Sequence, residues 1–337
     1  MKKSNKDRIF SQILFVQIPE IGFLMYDIIG DVHGHADALK RLLRKMDYRF
    51  SQGTWQHAQR KAIFVGDFIN KGPRVAETIN IVRTMVERGK ALAILGNHEY
   101  NAICYHTKLN GVYLQDHTYK NTEKHYATLQ AFENNKDALE NHIKWMRSLP
   151  LFLDLKELRA VHAAWIQKHV DYLKMYANPK MLTDAFLQKA NQENSYEKKI
   201  VDQLLKGIKI TLPEGVKLEN SDGKTYDTLR IKWWYEPELK KPKELSLAKS
   251  LKVPDFEIQE NLSQITQKYE TTAKPVFCGH YRLTGKPQIL KTNICCLDYG
   301  AAKNEILVAY RWKGERQLSN KNFTFVRKIA EKVVSYA

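Results

Sequence analysis

Seven side chains stand where short apolar runs end: Asp31, His33, Asp67, Asn97, His98, His162 and His280. Carboxylate, imidazole and amide oxygen together make a donor set suited to two borderline divalent cations. Two such ions, about 3.5–4 Å apart and sharing one carboxylate, clamp the oxygens of a phosphoryl group undergoing in-line displacement. They also lower the pKa of bound water, so that a hydroxide nucleophile exists near neutral pH without a protein base. The chemistry open to these residues is therefore metal-assisted hydrolysis at phosphorus.

Such residues must be brought together by the fold, and the runs that precede them show how. "YDIIGD" (26–31), "KAIFVGD" (61–67) and "ALAILGN" (91–97) read as buried parallel strands, each ending in glycine followed by Asp or Asn. Between them, "ADALKRLLRKM" (36–46) and "VAETINIVRTMVERG" (75–89) carry apolar residues at helical spacing, with Gly89 placed as a helix stop. The order β-α-β-α-β puts the strand C-termini on one edge, where open α/β folds place their sites, so Asp31, Asp67 and Asn97 converge. "LRAVHAAW" (158–165) and "KPVFCGHYRL" (274–283) deliver His162 and His280 in the same way. "NICCLDYGA" (293–301) and "EILVAYRW" (305–312) read as a closing hairpin or strand pair. The expectation is an α/β (α+β) fold of two packed mixed sheets flanked by helices.

The 337 residues, 43% of them hydrophobic, suffice for a large core in a single domain over 25–337. Residues 166–273 are Lys-rich, with a helical stretch "NSYEKKIVDQLLKGIKI" (194–210) and an aromatic "KWWY" (232–235), and read as a cap-like insertion. Trp233 and Trp234 fit core packing of that cap better than stacking on a nucleobase. The tail from Asn320 to Ala337 reads as an amphipathic helix. Residues 1–24 read as an N-terminal extension outside the core that need not be native; neither a signal peptide nor a membrane span is convincing there. A net charge of +17 attracts phosphates, with nucleic acid compatible but not favoured. Cys104, Cys278, Cys295 and Cys296 form no CxxC pair, which argues against a zinc knuckle or disulfide framework and fits a reducing cytoplasm.

Taken together, "GDVHG" (30–34), "GDFINKGP" (66–73), "GNHE" (96–99), "VHA" (161–163) and "GH" (279–280) resemble the calcineurin-like metallophosphoesterases in order and spacing, from about Asp27 to about Tyr310. The likeness is strongest to the branch of serine/threonine protein phosphatases and bacterial symmetrical diadenosine tetraphosphatases, because "GHYR" puts Arg282 where other branches carry a further histidine ligand. The resemblance implies a four-layer sandwich. It also implies a first metal on Asp31, His33 and Asp67, and a second on Asp67, Asn97, His162 and His280, with Asp67 as the bridge. Manganese is favoured among Mn, Fe, Zn, Ni and Mg. His98 would be the general acid, and Asn97, Lys71 and Arg282 would meet the substrate phosphate. The remaining histidines, His57, His106, His117, His125, His142 and His169, read as ordinary surface or partly buried residues, and His35, just past its motif, fits a supporting place behind the site residues and a helix start equally well.

Two positions depart from the family's pattern. Asn70 stands where an Asp usually charges the general-acid histidine, and Lys71 where an Arg usually grips phosphate. Asn70 is expected to accept a hydrogen bond from His98 without supplying charge, and Lys71 keeps the charge without the planar fork. The expectation is a phosphatase, phosphoprotein phosphatase-like in the first instance, detuned toward good leaving groups. Dinucleoside polyphosphate hydrolysis, or non-catalytic binding of anions or nucleic acid, are the alternatives.

Overall fold

The computed structural model describes residues 25–175, 182–219, 223, 225–234, 236, 241–247, 252–303 and 305–327. The extension expected at 1–24 lies outside them.

Ile28, Ile29, Ala62 and Ile63 have no exposed surface, so both faces of their strands must be covered. Met25–Ile29 pairs in parallel with Arg60–Phe64, and that strand in parallel with Ala91–Ala93. The connecting helices, Ala36–Lys45 and Val75–Glu87, turn Leu39, Leu42, Leu43, Ile79, Val82 and Met85 inward. Gly89, at φ +68°, follows the second helix as expected. Ile306–Trp312 and Phe323–Arg327 complete a five-stranded sheet in antiparallel pairing on the far side of Met25–Ile29. A second, four-stranded sheet runs Ile294–Cys296, Val276–Cys278, Arg159–Val161, Phe152–Asp154. The sheets meet face to face where the Phe277 and Tyr310 rings lie 5.2 Å apart. The expected architecture of two packed mixed sheets with helices is what the chain forms.

Three local expectations need correction. "NICCLDYGA" and "EILVAYRW" are not a hairpin: Ile294–Cys296 pairs in parallel with Val276–Cys278, whereas Ile306–Trp312 pairs with Met25–Ile29 in the other sheet. Gly300, at φ +72°, and the short 3-10 turn Ala301–Lys303 carry the chain between sheets. The tail is not helical where it is described. After a 3-10 turn at Asn320–Asn322, Phe323–Arg327 is an edge strand along Ile306–Tyr310. The helix expected over 194–210 ends at Lys206, because Gly207 adopts φ +79° and Ile208–Thr211 becomes a strand.

Arg159–Val161 and Val276–Cys278 are parallel neighbours, and residues 166–273 form the connection between them. Within it, Ile208–Thr211 pairs with Thr228–Ile231 outside both main sheets. Trp233 and Trp234 are 0% and 2% exposed and pack edge to face, with Tyr269 against Trp233. They are core, as the sequence favoured.

Candidate metal centre

The turns that carry the candidate site residues are conformationally unusual. His33, Asp67, Asn70, Lys71, His280 and Arg282 all have φ between +46° and +70°. Such left-handed geometry costs non-glycine residues about 1–3 kcal/mol each and persists only where surroundings over-determine it. The turns brace one another: Asp67 O accepts from Val32 N (3.0 Å) and His33 N (2.9 Å), and His162 O accepts from Gly279 N (2.8 Å). Approach is so close that a Cβ on Gly96 would lie 2.2 Å from Asp67 Oδ1, and one on Gly279 would lie 2.0 Å from Asp31 Oδ1. Those two glycines are required by space rather than by turn preference.

Four donor atoms converge from three strand ends and one helix start. His162 Nε2 lies 3.4 Å from Asp67 Oδ1 and 3.2 Å from Asn97 Oδ1, and His280 Nδ1 lies 2.7 Å from that Asn97 oxygen. His33 Nε2 lies 3.5 Å from the other Asp67 oxygen. The ring protons are settled by the opposite nitrogens. His162 Nδ1 donates to Val65 O at 2.7 Å and His33 Nδ1 to Ile69 O at 3.0 Å, which frees both Nε2 lone pairs to face Asp67. The His162 lone pair therefore points at two oxygens that can only accept, an arrangement that calls for positive charge between them. Titration behaviour agrees. Burial opposes charge on His162, but Asp67 and Asp31 raise it to about 10. Burial works to raise Asp67, yet His162 and His98 hold it well below the carboxylate range. The donor set fits divalent ions. Asp31 stands at the edge of the group, its carboxylate accepting from His280 N at 3.1 Å. Burial and then Asp298 raise its pKa.

His98 is near the shared carboxylate, Nε2 to Asp67 Oδ2 at 3.9 Å, and its backbone N–H donates to Asp67 Oδ1 at 2.9 Å. Burial lowers its ring to about 3. Asn70 does sit against it, but the expected polarity is reversed: Asn70 Nδ2, not the oxygen, faces His98 Nδ1 at 2.9 Å. The Asn70 oxygen is occupied by Thr128 Oγ and by His125 Nδ1 at 3.1 Å. Lys71 Nζ approaches His33 Nε2 at 3.1 Å, placing its charge within the site.

Above these residues opens a cavity of about 510 Å³ whose lining includes Asn97, His98, His280 and five cations: Lys71, Lys124, Lys206, Lys209 and Arg230. No carboxylate is among the lining residues. Burial, then Arg230 and Lys206, lower the Lys209 pKa, and burial lowers that of Arg230, whose Nε is buried without a hydrogen-bond partner among the described residues. Arg282 does not line this cavity; its side chain, 40% exposed, lies 3.7 Å from Glu305.

A family model described as calcineurin-like phosphoesterase matches residues 26–280, most of the chain. The chain belongs to that family. A bis(5'-nucleosyl)-tetraphosphatase PrpE [asymmetrical] of Oceanobacillus iheyensis is 34% identical over 146 residues, 43% of this chain and 57% of the relative. A protein of the same name from Bacillus subtilis is 32% identical over 143 residues, 42% of this chain and again 57% of the relative. The chain thus spans little more than half the length of these relatives. Among solved structures, a cold-active protein-tyrosine phosphatase of a psychrophile Shewanella species aligns at TM-score 0.44 and 15% identity, covering 91% of this chain and 80% of that one. A protein serine/threonine phosphatase from Saccharomyces cerevisiae aligns at TM-score 0.44 and 11% identity, covering 90% and 79%.

Reading this calcineurin-like phosphoesterase by sequence missed three groups. Arg230, Lys206 and Lys209 lie within residues 166–273, far in sequence from every motif, and reach the cavity through the folding of that segment. His125 passed for an ordinary histidine; its spacing of three from Thr128, both buried on helix Tyr119–Ala131, was the available signal. Glu99 received no role, although it closes the "GNHE" motif. It is fully buried, and its oxygens accept from the backbone N–H groups of Asp67, Phe68, Ile69 and Gly96. Burial and the charge of Asp67 raise its carboxyl to about 7, with the Ile69 and Asp67 N–H groups pulling the other way. All four cysteines are free and buried. Among the described residues, no helix is long and apolar enough to cross a membrane.

Proposed function

We propose that the chain hydrolyses a phosphoanhydride in a nucleoside polyphosphate, with a dinucleoside tetraphosphate as the substrate class. Two divalent ions, manganese favoured, would be held by Asp31, His33 and Asp67 and by Asp67, Asn97, His162 and His280. When bound, they supply Lewis acidity toward phosphoryl oxygens and an ionised water near neutral pH. The carrying observation is the cavity lining: five cations and no carboxylate beside the converging donors. A chain of phosphates carries a charge on each unit, so it gains from several cations spread along the cavity more than a single phosphoryl group does. The names of the tetraphosphatase relatives point the same way.

Within this reading, Lys71 and Asn97 hold the phosphoryl group undergoing attack. Arg230, which lines the cavity together with His280, takes the phosphate-binding part that Arg282 was expected to play, and Lys206 and Lys209 hold the phosphates beyond it. His98 directs Nε2 to the leaving oxygen. An anhydride suits this site because its leaving phosphate departs as a weakly basic anion and asks little of a proton donor.

The test is a substrate panel with added manganese: dinucleoside tetraphosphate, para-nitrophenyl phosphate, a bis-aryl phosphodiester and a phosphoserine peptide. The dinucleotide should lead by about tenfold or more in kcat/KM, corresponding to about 1.4 kcal/mol of extra transition-state binding. A phosphopeptide preference would overturn the proposal in favour of a phosphoprotein phosphatase.

A further inference from the structure

Helix Tyr119–Ala131 lays two buried side chains, His125 and Thr128, against the turn that carries Asn70. Thr128 Oγ accepts from Asn70 N at 3.3 Å and gives its own proton to Asn70 Oδ1. His125 Nδ1 lies 3.1 Å from the same oxygen. An amide oxygen only accepts, so His125 carries its proton on Nδ1. Its Nε2 is then the acceptor for His106 Nε2, 3.0 Å away. With its oxygen held from two sides, Asn70 can offer His98 only its NH2, which has no lone pair to give. Nδ1 of His98 must accept that bond, and the proton of the neutral ring resides on Nε2. His106, His125, Asn70 and His98 form a line in which every bond donates in one direction, so each polarises the next.

We propose that His125 and Thr128 are positioning residues that lock the amide of Asn70 and, through it, hold His98 as the Nε2–H tautomer, a neutral hydrogen-bond donor aimed at the leaving oxygen. The inference rests on the reading of His98 as the leaving-group partner. It gives the altered motif a purpose. As the P–O bond breaks, its electron pair stays on the leaving phosphate, whose low basicity needs no proton. His98 keeps its proton and contributes a hydrogen bond throughout. An alkoxide leaving group would require the full proton transfer that this clamp discourages. A carboxylate at position 70 would favour the imidazolium; the clamped amide favours a fixed neutral donor suited to anhydrides.

The experiment uses the full chain loaded with magnesium or zinc and labelled with 15N-histidine, the His98 signals being assigned by their loss in His98→Gln. The parent should show Nδ1 unprotonated and Nε2 protonated. A parent with the proton on Nδ1 overturns the proposal outright. Thr128→Val with His125→Phe removes both donors to the Asn70 oxygen, so the amide is free to turn over and the His98 proton should move to Nδ1. In that variant kcat on the dinucleotide should fall by about 10- to 100-fold, the range for losing a preorganised donor, with KM and bound metal unchanged. Thr128→Ser alone retains the hydroxyl and should retain both tautomer and kcat. If the double variant keeps the Nε2–H pattern and the parent kcat, the clamp does not act as proposed; should it fail to fold, the parent spectrum still decides. Because the 15N pattern is read without substrate, it stands or falls separately from the substrate panel.

Discussion

Changing Glu99 to Gln tests what holds the bridging turn in shape. The carboxylate is fully buried, and each oxygen serves two backbone donors: Oε2 takes Asp67 N (2.7 Å) and Gly96 N (2.9 Å), Oε1 takes Phe68 N (3.0 Å) and Ile69 N (3.1 Å). Three of those donors, on Asp67, Phe68 and Ile69, belong to the turn in which Asp67, Asn70 and Lys71 all have positive φ, and the fourth, on Gly96, leads into helix Asn97–His106. Gln preserves the shape but replaces one acceptor oxygen with an NH2 group. Whichever way the amide lies, two N–H donors lose their partner and face another donor. At about 1.5–3 kcal/mol for each hydrogen bond to a charged group, the loss is about 3–6 kcal/mol, a large part of the 5–15 kcal/mol typical of a folded protein. The assay is urea denaturation at pH 8, above the value of about 7 to which the carboxyl is raised, with manganese titration of the folded protein alongside. The midpoint should drop by the equivalent of that energy, and metal affinity should fall because Asp67 loses its brace. A loss under about 1 kcal/mol with metal binding intact would refute the idea that this carboxylate offsets the strain of the turn.

Asp67→Asn should leave the protein folded but abolish hydrolysis and reduce bound metal below two per chain by elemental analysis, because one carboxylate faces both donor groups and an amide brings no charge; retained turnover with two metals would refute the bridge. Lys206→Ala with Lys209→Ala should lower kcat/KM on a dinucleoside tetraphosphate by about tenfold or more, close to 1.4 kcal/mol, while para-nitrophenyl phosphate, with one phosphoryl group, changes little. Equal losses on both substrates would deny the insertion its part in substrate choice.

How far a site can be read from sequence depends on whether its parts are local or assembled. Asp31, Asp67 and Asn97 each follow one of the three mutually parallel strands of the five-stranded sheet, so strand order alone brings them to a common edge. His162 and His280 follow two neighbouring parallel strands of the facing sheet and obey the same logic. The failures were tertiary. Ile294–Cys296 and Ile306–Trp312 are close in sequence and equally apolar, and nothing local tells a hairpin from a crossing between sheets; the decision is made by which strand each finds as partner. Phe323–Arg327 took a strand because an edge along Ile306–Tyr310 was available to it, overriding a pattern that read as helical. Asn70 is the instructive case. Its identity is legible as a departure from the usual Asp, and taken locally it reads as a weakened acceptor for His98. The direction of its amide is set by Thr128 and His125, 58 and 55 residues away, and that direction reverses the hydrogen bond. The chemistry of an altered motif residue therefore follows from what grips its other end, and here a helix outside every motif makes the substitution into a different device rather than a damaged one.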